Sequence, residues 1–196
     1  PRAKRHALVI AVAIVLPLLV AAMVGFVLVR PDLPPPPPPP RAVVLLAATN
    51  PRSSSALPPN EAQFAFDGSK ETAWCEAANG DGSGEWLEAS APAGFVITEV
   101  TLTGGWDFMS PKAAAYSGNP DMWAHNNVAT RLRVTWSGGS TTVTFSRSDR
   151  GVSRSVPISP AATRVRILVE ATNRSTGANN TCLDGLELRG YRGQAP

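Results

Sequence analysis

Ala7 to Val29 reads "ALVIAVAIVLPLLVAAMVGFVLV", 23 consecutive residues without a charge. A helix of that length rises ~1.5 Å per residue and spans roughly 30 Å, the thickness of a bilayer's hydrocarbon core. Pro17 falls inside the run, which a membrane helix tolerates better than a soluble one. A cleaved signal peptide is the other use of such a run. Its apolar region is about 7–15 residues long and ends at a small-residue cleavage site. This stretch is longer and has no convincing site, so the expectation is one transmembrane helix over 7–29.

The flanks orient it. Arg2, Lys4 and Arg5 precede the helix with His6, whereas Arg30 is followed at once by Asp32. The excess of positive charge places residues 1–6 in the cytoplasm as a basic flank and everything after the helix outside the cell membrane. The chain begins at Pro1 rather than Met, and a cytoplasmic part is expected ahead of it. Net charge follows the same division. The formal +3 is wholly accounted for by Arg2, Lys4, Arg5 and Arg30 against Asp32, so residues 41–196 balance. The exported part therefore has no overall field for nucleic acid, which is excluded as a partner.

Residues 30–43 read as a proline-rich linker, with Pro34 to Pro40 unbroken. Seven prolines form a polyproline II rod of about 20 Å at ~3.1 Å per residue. A docking motif is the alternative; outside what looks like a bacterial membrane, a spacer is expected.

From residue 44 to 192 the pattern is that of one all-β domain. "EVTLTGG" alternates Val100 and Leu102 with threonines, and "RLRVTW" alternates Leu132, Val134 and Trp136 with Arg131, Arg133 and Thr135. "TTVTF", "TRVRILV" and "LDGLELRG" continue the period of two. "WSGGSTT" reads as a hairpin turn. No amphipathic helix stands out. About 150 residues of this kind suit a single jelly-roll β-sandwich. Cys75 and Cys182 are the only cysteines. An even count in an oxidising compartment favours a disulfide over two buried thiols.

Signs of catalysis are weak. His125 is the only exported histidine, two cysteines do not make a zinc site, and no G-x-S-x-G elbow occurs. "GDGSG" misses the dinucleotide fingerprint because position 85 is Glu. Converging carboxylates for glycoside hydrolysis are the one enzymatic arrangement the sequence leaves open. "NGDGSGEWLEAS" places Asn79, Asp81, Ser83 and Gly84 as in a calcium loop, yet its twelfth position is Ser90 where a bidentate Glu belongs. A glycine-rich turn ahead of a strand is the better account. The sequons at Asn173 and Asn179 are read as turn residues.

"FAFDGSKETAWCE" followed by "GEWLEASAP" resembles the DG…TAW…GEW signature of galactose-binding-like, discoidin-type sandwiches. More narrowly, it resembles the NADase-type glycan-binding domain. The matching residues are Asp67, Gly68, Thr72, Ala73 and Trp74, then Gly84, Glu85 and Trp86. "LTGGWDFMSPKAAAYSGNPDMWAHNNVATRLRV" follows the family's plan with Trp106, Lys112, Tyr116, Asn126 or Asn127, and Arg131, and "TCLDGLELRG" matches its close. The resemblance covers roughly residues 45–190. It implies that Cys75 and Cys182 lie close enough to bridge, and that Trp74 and Trp86 are core. In related modules the DG turn helps hold a structural calcium with a Glu near the last strand. Here Asp67 and Thr72 are the candidate ligands, but Gly185 stands where that Glu would be. The alternative is that Asp67 caps its own turn. No other cofactor is expected.

Sugar recognition needs an aromatic face for the apolar side of a pyranose and polar groups for its hydroxyls. The loop from Gly104 to Thr130 concentrates these: Trp106, Asp107, Tyr116, Trp123, His125, Asn126 and Asn127, with Arg131 just beyond. It is too long for an ordinary connection, and such loops are usually functional. The alternative is that its aromatics plug the end of the sandwich. With the resemblance, the expectation is a membrane-anchored, non-catalytic module whose partner is a glycan or cell-envelope polysaccharide. A sensor or protein-interaction ectodomain wired to a cytoplasmic signalling part is the rival.

Overall fold

The alternation of apolar and polar residues after the proline run resolves into eleven strands in the computed structural model, which describes residues 39–111 and 119–193. The expected transmembrane helix and most of the linker lie outside those residues. Among the described residues no helix is long and apolar enough to cross a membrane.

The strands are β1 (Val44–Leu46), β2 (Thr49–Ser53), β3 (Trp74–Cys75), β4 (Trp86–Ser90), β5 (Phe95–Thr103), β6 (Val128–Trp136), β7 (Gly139–Thr144), β8 (Ser153–Ala162), β9 (Arg164–Asn173), β10 (Cys182–Leu183) and β11 (Glu187–Arg192). One turn of helix, α1 (Met122–His125), precedes β6. A four-stranded sheet runs β1-β11-β5-β8 and a five-stranded sheet runs β2-β4-β9-β6-β7, while β10 and β3 pair alone. Every pair of these strands is antiparallel. This is the all-β sandwich expected.

The core lies between the two larger sheets, as strand geometry requires: alternate side chains of each strand point inward. Leu87 of β4, Val100 and Leu102 of β5, Leu132 and Val134 of β6, and Ile167 and Val169 of β9 are all buried there. Trp74 is fully buried, its indole N–H donating to the Ser55 carbonyl at 2.8 Å. Trp86 departs from expectation. Leu87 takes the inward position, so Trp86 sits half-buried on the outer face, with the Arg166 guanidinium 4.2 Å over its ring. The expected hairpin is present: Trp136 pairs with Gly139 across Ser137–Gly138.

Cys75 and Cys182 form a disulfide, opposite each other in the β3–β10 ladder. Arg41–Pro196 forms a compact unit, and the buried core residues among the described residues all lie within it.

Candidate functional site

The glycine pair that ends β5 sets the start of the long loop. A side chain on Gly104 would meet Phe145 at 2.9 Å, and one on Gly105 would meet the Trp123 ring at 2.9 Å. The loop thus begins pressed onto the sandwich end and is then pinned by ion pairs and caps. Asp121 caps α1, its carboxylate accepting from the Trp123 and Ala124 amides. Arg150 bridges Asp107 at 2.7 Å and Asp121 at 2.8 Å. The Arg147 guanidinium donates to the Trp123, Asn126 and Asn173 carbonyls, and its own carbonyl accepts the Trp123 indole N–H at 3.0 Å.

This pinning separates the sequence-derived candidates. Trp106, His125 and Asn126 line one hollow of about 470 Å³, floored by the Cys75–Cys182 bridge and completed by Asn60 and Asn180. Trp106 is half-buried. Its ring packs on the disulfide, lies 6.2 Å from the Phe108 ring at an interplanar angle of 15°, and donates its N–H to the Lys70 carbonyl at 3.0 Å. Asn60 and His125 are half-buried, and the Asn60 side-chain amide and the His125 imidazole make no hydrogen bond to another described residue. Asn60 and Asn180 come from segments far from the loop in sequence, and the loop-centred reading missed both.

The other candidates take different roles. Trp123 is only 5% exposed, so its ring packs the sandwich end and offers no stacking face. Asn126 is buried, its side-chain amide donating to the Met122 carbonyl at 3.0 Å. Asn127 is buried more deeply and staples three segments. Its amide nitrogen reaches the Asp81 carbonyl at 3.4 Å, its side-chain oxygen accepts from the Ser175 amide at 2.8 Å, and its backbone N–H donates to Asn180. Arg131 is exposed on the outer face of the five-stranded sheet and paired with Glu170 at 3.0 Å. It shares no site with the loop. Tyr116 and Lys112 lie outside the described residues.

The proposed calcium ligands close on each other. Asp67 accepts from the Ser69 amide at 2.8 Å and from the Thr72 hydroxyl at 2.7 Å. Calcium takes 6–8 oxygens, backbone carbonyls among them, and these two side chains supply three at most. Among the described residues no three His, Cys, Asp or Glu side chains gather for a metal.

A second, larger concavity of about 600 Å³ runs along the outer face of the four-stranded sheet, past Thr101, Thr103, Ser153 and Ser155 to Asp107 and Asp184. Asp184 is 4% exposed, and burial raises its pKa to about 6. Hydrogen bonds from Thr103 and the Asp107 backbone pull the other way, and the charge of Asp107 adds to the rise. Beneath the disulfide, Glu76 is wholly buried and accepts from the Thr181 amide at 3.1 Å and the Ala78 amide at 2.7 Å. Burial raises its pKa against those bonds. Glu76 did not stand out in the sequence, and Asp184 stood out only as the neighbour of Gly185.

An antiparallel sandwich with a disulfide tying its penultimate strand to the DG…TAWC turn agrees with the sequence comparison. Residues 47–183 match the family model described as the NAD glycohydrolase translocation F5/8 type C domain. The chain belongs to this family. Solved structures of the same fold are distant in sequence. A truncated AlyQ with CBM32 and alginate lyase domains shares 13% identity at a TM-score of 0.50, over 80% of this chain and 36% of its own. The CBM32-1 and CBM32-2 domains of Clostridium perfringens ZmpB share 12% identity at a TM-score of 0.50, over 73% and 34%. The family 32 CBM of C. perfringens NanJ, in complex with galactose, shares 15% at 0.49, over 76% and 99%. No curated protein matches the chain. For this F5/8 type C domain the structural neighbours establish the sandwich, and the chemistry rests on the chain's own residues.

Proposed function

We propose that residues 44–192 are a non-catalytic glycan-binding module, held outside a cell membrane by the 7–29 helix and spaced from it by the proline rod. The hollow at the loop end is where the sugar binds. One observation carries this reading: the half-buried Trp106 indole lies beside two polar side chains, Asn60 and His125, whose hydrogen-bonding groups have no partner among the described residues. An aromatic face covers the apolar side of a pyranose while an amide and an imidazole bond its hydroxyls. Anchored on the disulfide and the Lys70 carbonyl, the indole loses little freedom on binding, which favours affinity. The family assignment and the carbohydrate-binding modules of AlyQ and ZmpB supply the ligand class.

A glycan array with residues 41–196 tests this. Binding to at least one neutral glycan is expected, and His125→Ala and Asn60→Ala should each weaken it roughly tenfold, about 1.4 kcal/mol. Both variants should melt as the parent does. Trp106→Ala should abolish detectable binding. Failure to bind any glycan, or full affinity in all three variants, overturns the proposal.

A further inference from the structure

The outer face of the five-stranded sheet carries the residues that the loop site does not use. Arg131 and Arg133 of β6, Arg164 and Arg166 of β9 and Arg52 of β2 are all exposed there. Among the described residues two acids pair with them. Glu170 pairs with both Arg131 and Arg133, and Glu88 pairs with Arg166 at 3.0 Å and Arg164 at 3.6 Å. Five arginines against two glutamates leave an excess of three positive charges on this face, within residues 41–196 whose charges sum to zero.

The pairs are layered. Both glutamate side chains are 13% exposed, whereas the four arginines they hold are 49–67% exposed. Each carboxylate lies under two guanidiniums and fixes their direction. A guanidinium has five N–H donors, and one carboxylate does not use them all. The remaining donors face solvent as pre-oriented forks, the geometry that recognises oxyanions bidentately. Their lattice is that of the sheet. Arg164 and Arg166 alternate along β9 about 7 Å apart. Arg133 lies opposite Leu168, and Arg166 opposite Thr135, so these two arginines are diagonal neighbours at about 7–8 Å. Four forks thus run diagonally across two strands.

We propose that this face docks an acidic polysaccharide, a sugar chain bearing repeated carboxylates that engage Arg131, Arg133, Arg164 and Arg166 in succession. Several weak contacts on one chain add up to useful affinity, which a single small anion does not provide. Thr135, Ser140 and Thr142, all exposed, alternate with buried Val134 of β6 and half-buried Thr141 and Val143 of β7 and supply hydroxyl partners between the forks. A bilayer is disfavoured because the large exposed apolar residues, Val43, Val44, Leu45, Leu57, Met109 and Val152, all lie off this face. Single-stranded nucleic acid needs open aromatic rings for its bases; Arg166 covers Trp86, and Trp136, beside Arg164 and Arg166, packs against the core. The surface shares no residue with the Trp106 hollow, so it is a second site on the module.

The test uses residues 41–196 and polygalacturonate, with titration calorimetry at low and physiological salt. Binding is expected, and Arg133→Gln with Arg166→Gln should weaken it tenfold or more. Each glutamate keeps one arginine in that variant, so the melting temperature should stay within a few degrees. Replacing the same two residues by lysine restores charge without the fork, and should recover only part of the affinity. Arg154→Gln with Arg189→Gln removes equal charge from the opposite sheet and should change affinity less than twofold. Absence of binding to polygalacturonate, or equal loss in the opposite-sheet variant, overturns the proposal. Tighter binding to duplex DNA or to phosphatidylglycerol vesicles than to polygalacturonate also overturns it, by making the face a general anion or membrane surface.

Discussion

Asp184 shows what burial does to one charge. Its carboxyl keeps a proton in the folded state up to about pH 6, against 3.8 ordinarily. Between those values the folded state binds more protons than the unfolded chain, so this residue's contribution to stability falls as pH rises and is fully lost above 6. Asp184→Asn removes that loss. Urea unfolding of the variant and the parent should differ little at pH 3.5. Above pH 6.5 the variant should be the more stable, by up to about 3 kcal/mol at 1.36 kcal/mol per pKa unit. A pH-independent difference would refute the assignment. The position also shows why residue-level reading stalls. Strand alternation predicts that Asp184 and Gly185 point to opposite faces. Instead Gly185 adopts φ +60°, the chain between β10 and β11 leaves the strand conformation, and both residues line the same concavity. The chemical types in the 104–130 loop were legible, but which of them face solvent was not. Trp106 and Trp123 are the same residue type in the same loop, and it is Gly105 under one ring and the disulfide under the other that set their exposures.

At the scale of elements, the two-residue strands β3 and β10 would be negligible without their bridge. Cys75 and Cys182 are separated by 107 residues, and closing a loop of that size stabilises by up to about 5 kcal/mol in the chain-entropy model. The bridge also floors the hollow and supports Trp106. Cys75→Ser with Cys182→Ser should therefore lower stability by about 2–5 kcal/mol in urea titration, and should weaken glycan binding even where the variant remains folded. Unchanged affinity would separate the hollow from the bridge. Strands with strict alternation, such as β6 and β9, could be read directly from the sequence. β8 could not, because Pro157 and Pro160 argue against a strand. Its place at the edge of its sheet accommodates them, since an edge strand can leave a backbone position unpaired. α1 escaped because a single capped turn is too short to show a helical period.

For the molecule as a whole, zero net charge on residues 41–196 conceals a division. Arginine excess occupies the outer face of one sheet, while Glu99, Asp107, Asp184 and Glu187 line the concavity of the other, against Lys70 and Arg189. Charge counting over residues 41–196 misses this because antiparallel strands alternate their side chains between core and solvent, and each sheet exposes a different subset. Both proposed binding surfaces need to reach a ligand beyond the membrane, so their use depends on the segment ahead of residue 41. The charge-free run of 23 residues is long enough to span a bilayer as a helix, and under the proposed anchoring a polyproline II run of seven residues would give a stand-off of about 20 Å. The full chain expressed in bacteria should therefore remain with the membrane pellet through alkaline carbonate washing, whereas residues 41–196 alone should be released. Protease added outside intact spheroplasts should remove the module and spare residues 1–6. Release of the full chain by carbonate would refute the anchor. Protection of the module from external protease, with cleavage only after lysis, would reverse the orientation and place both binding surfaces on the side away from any envelope glycan.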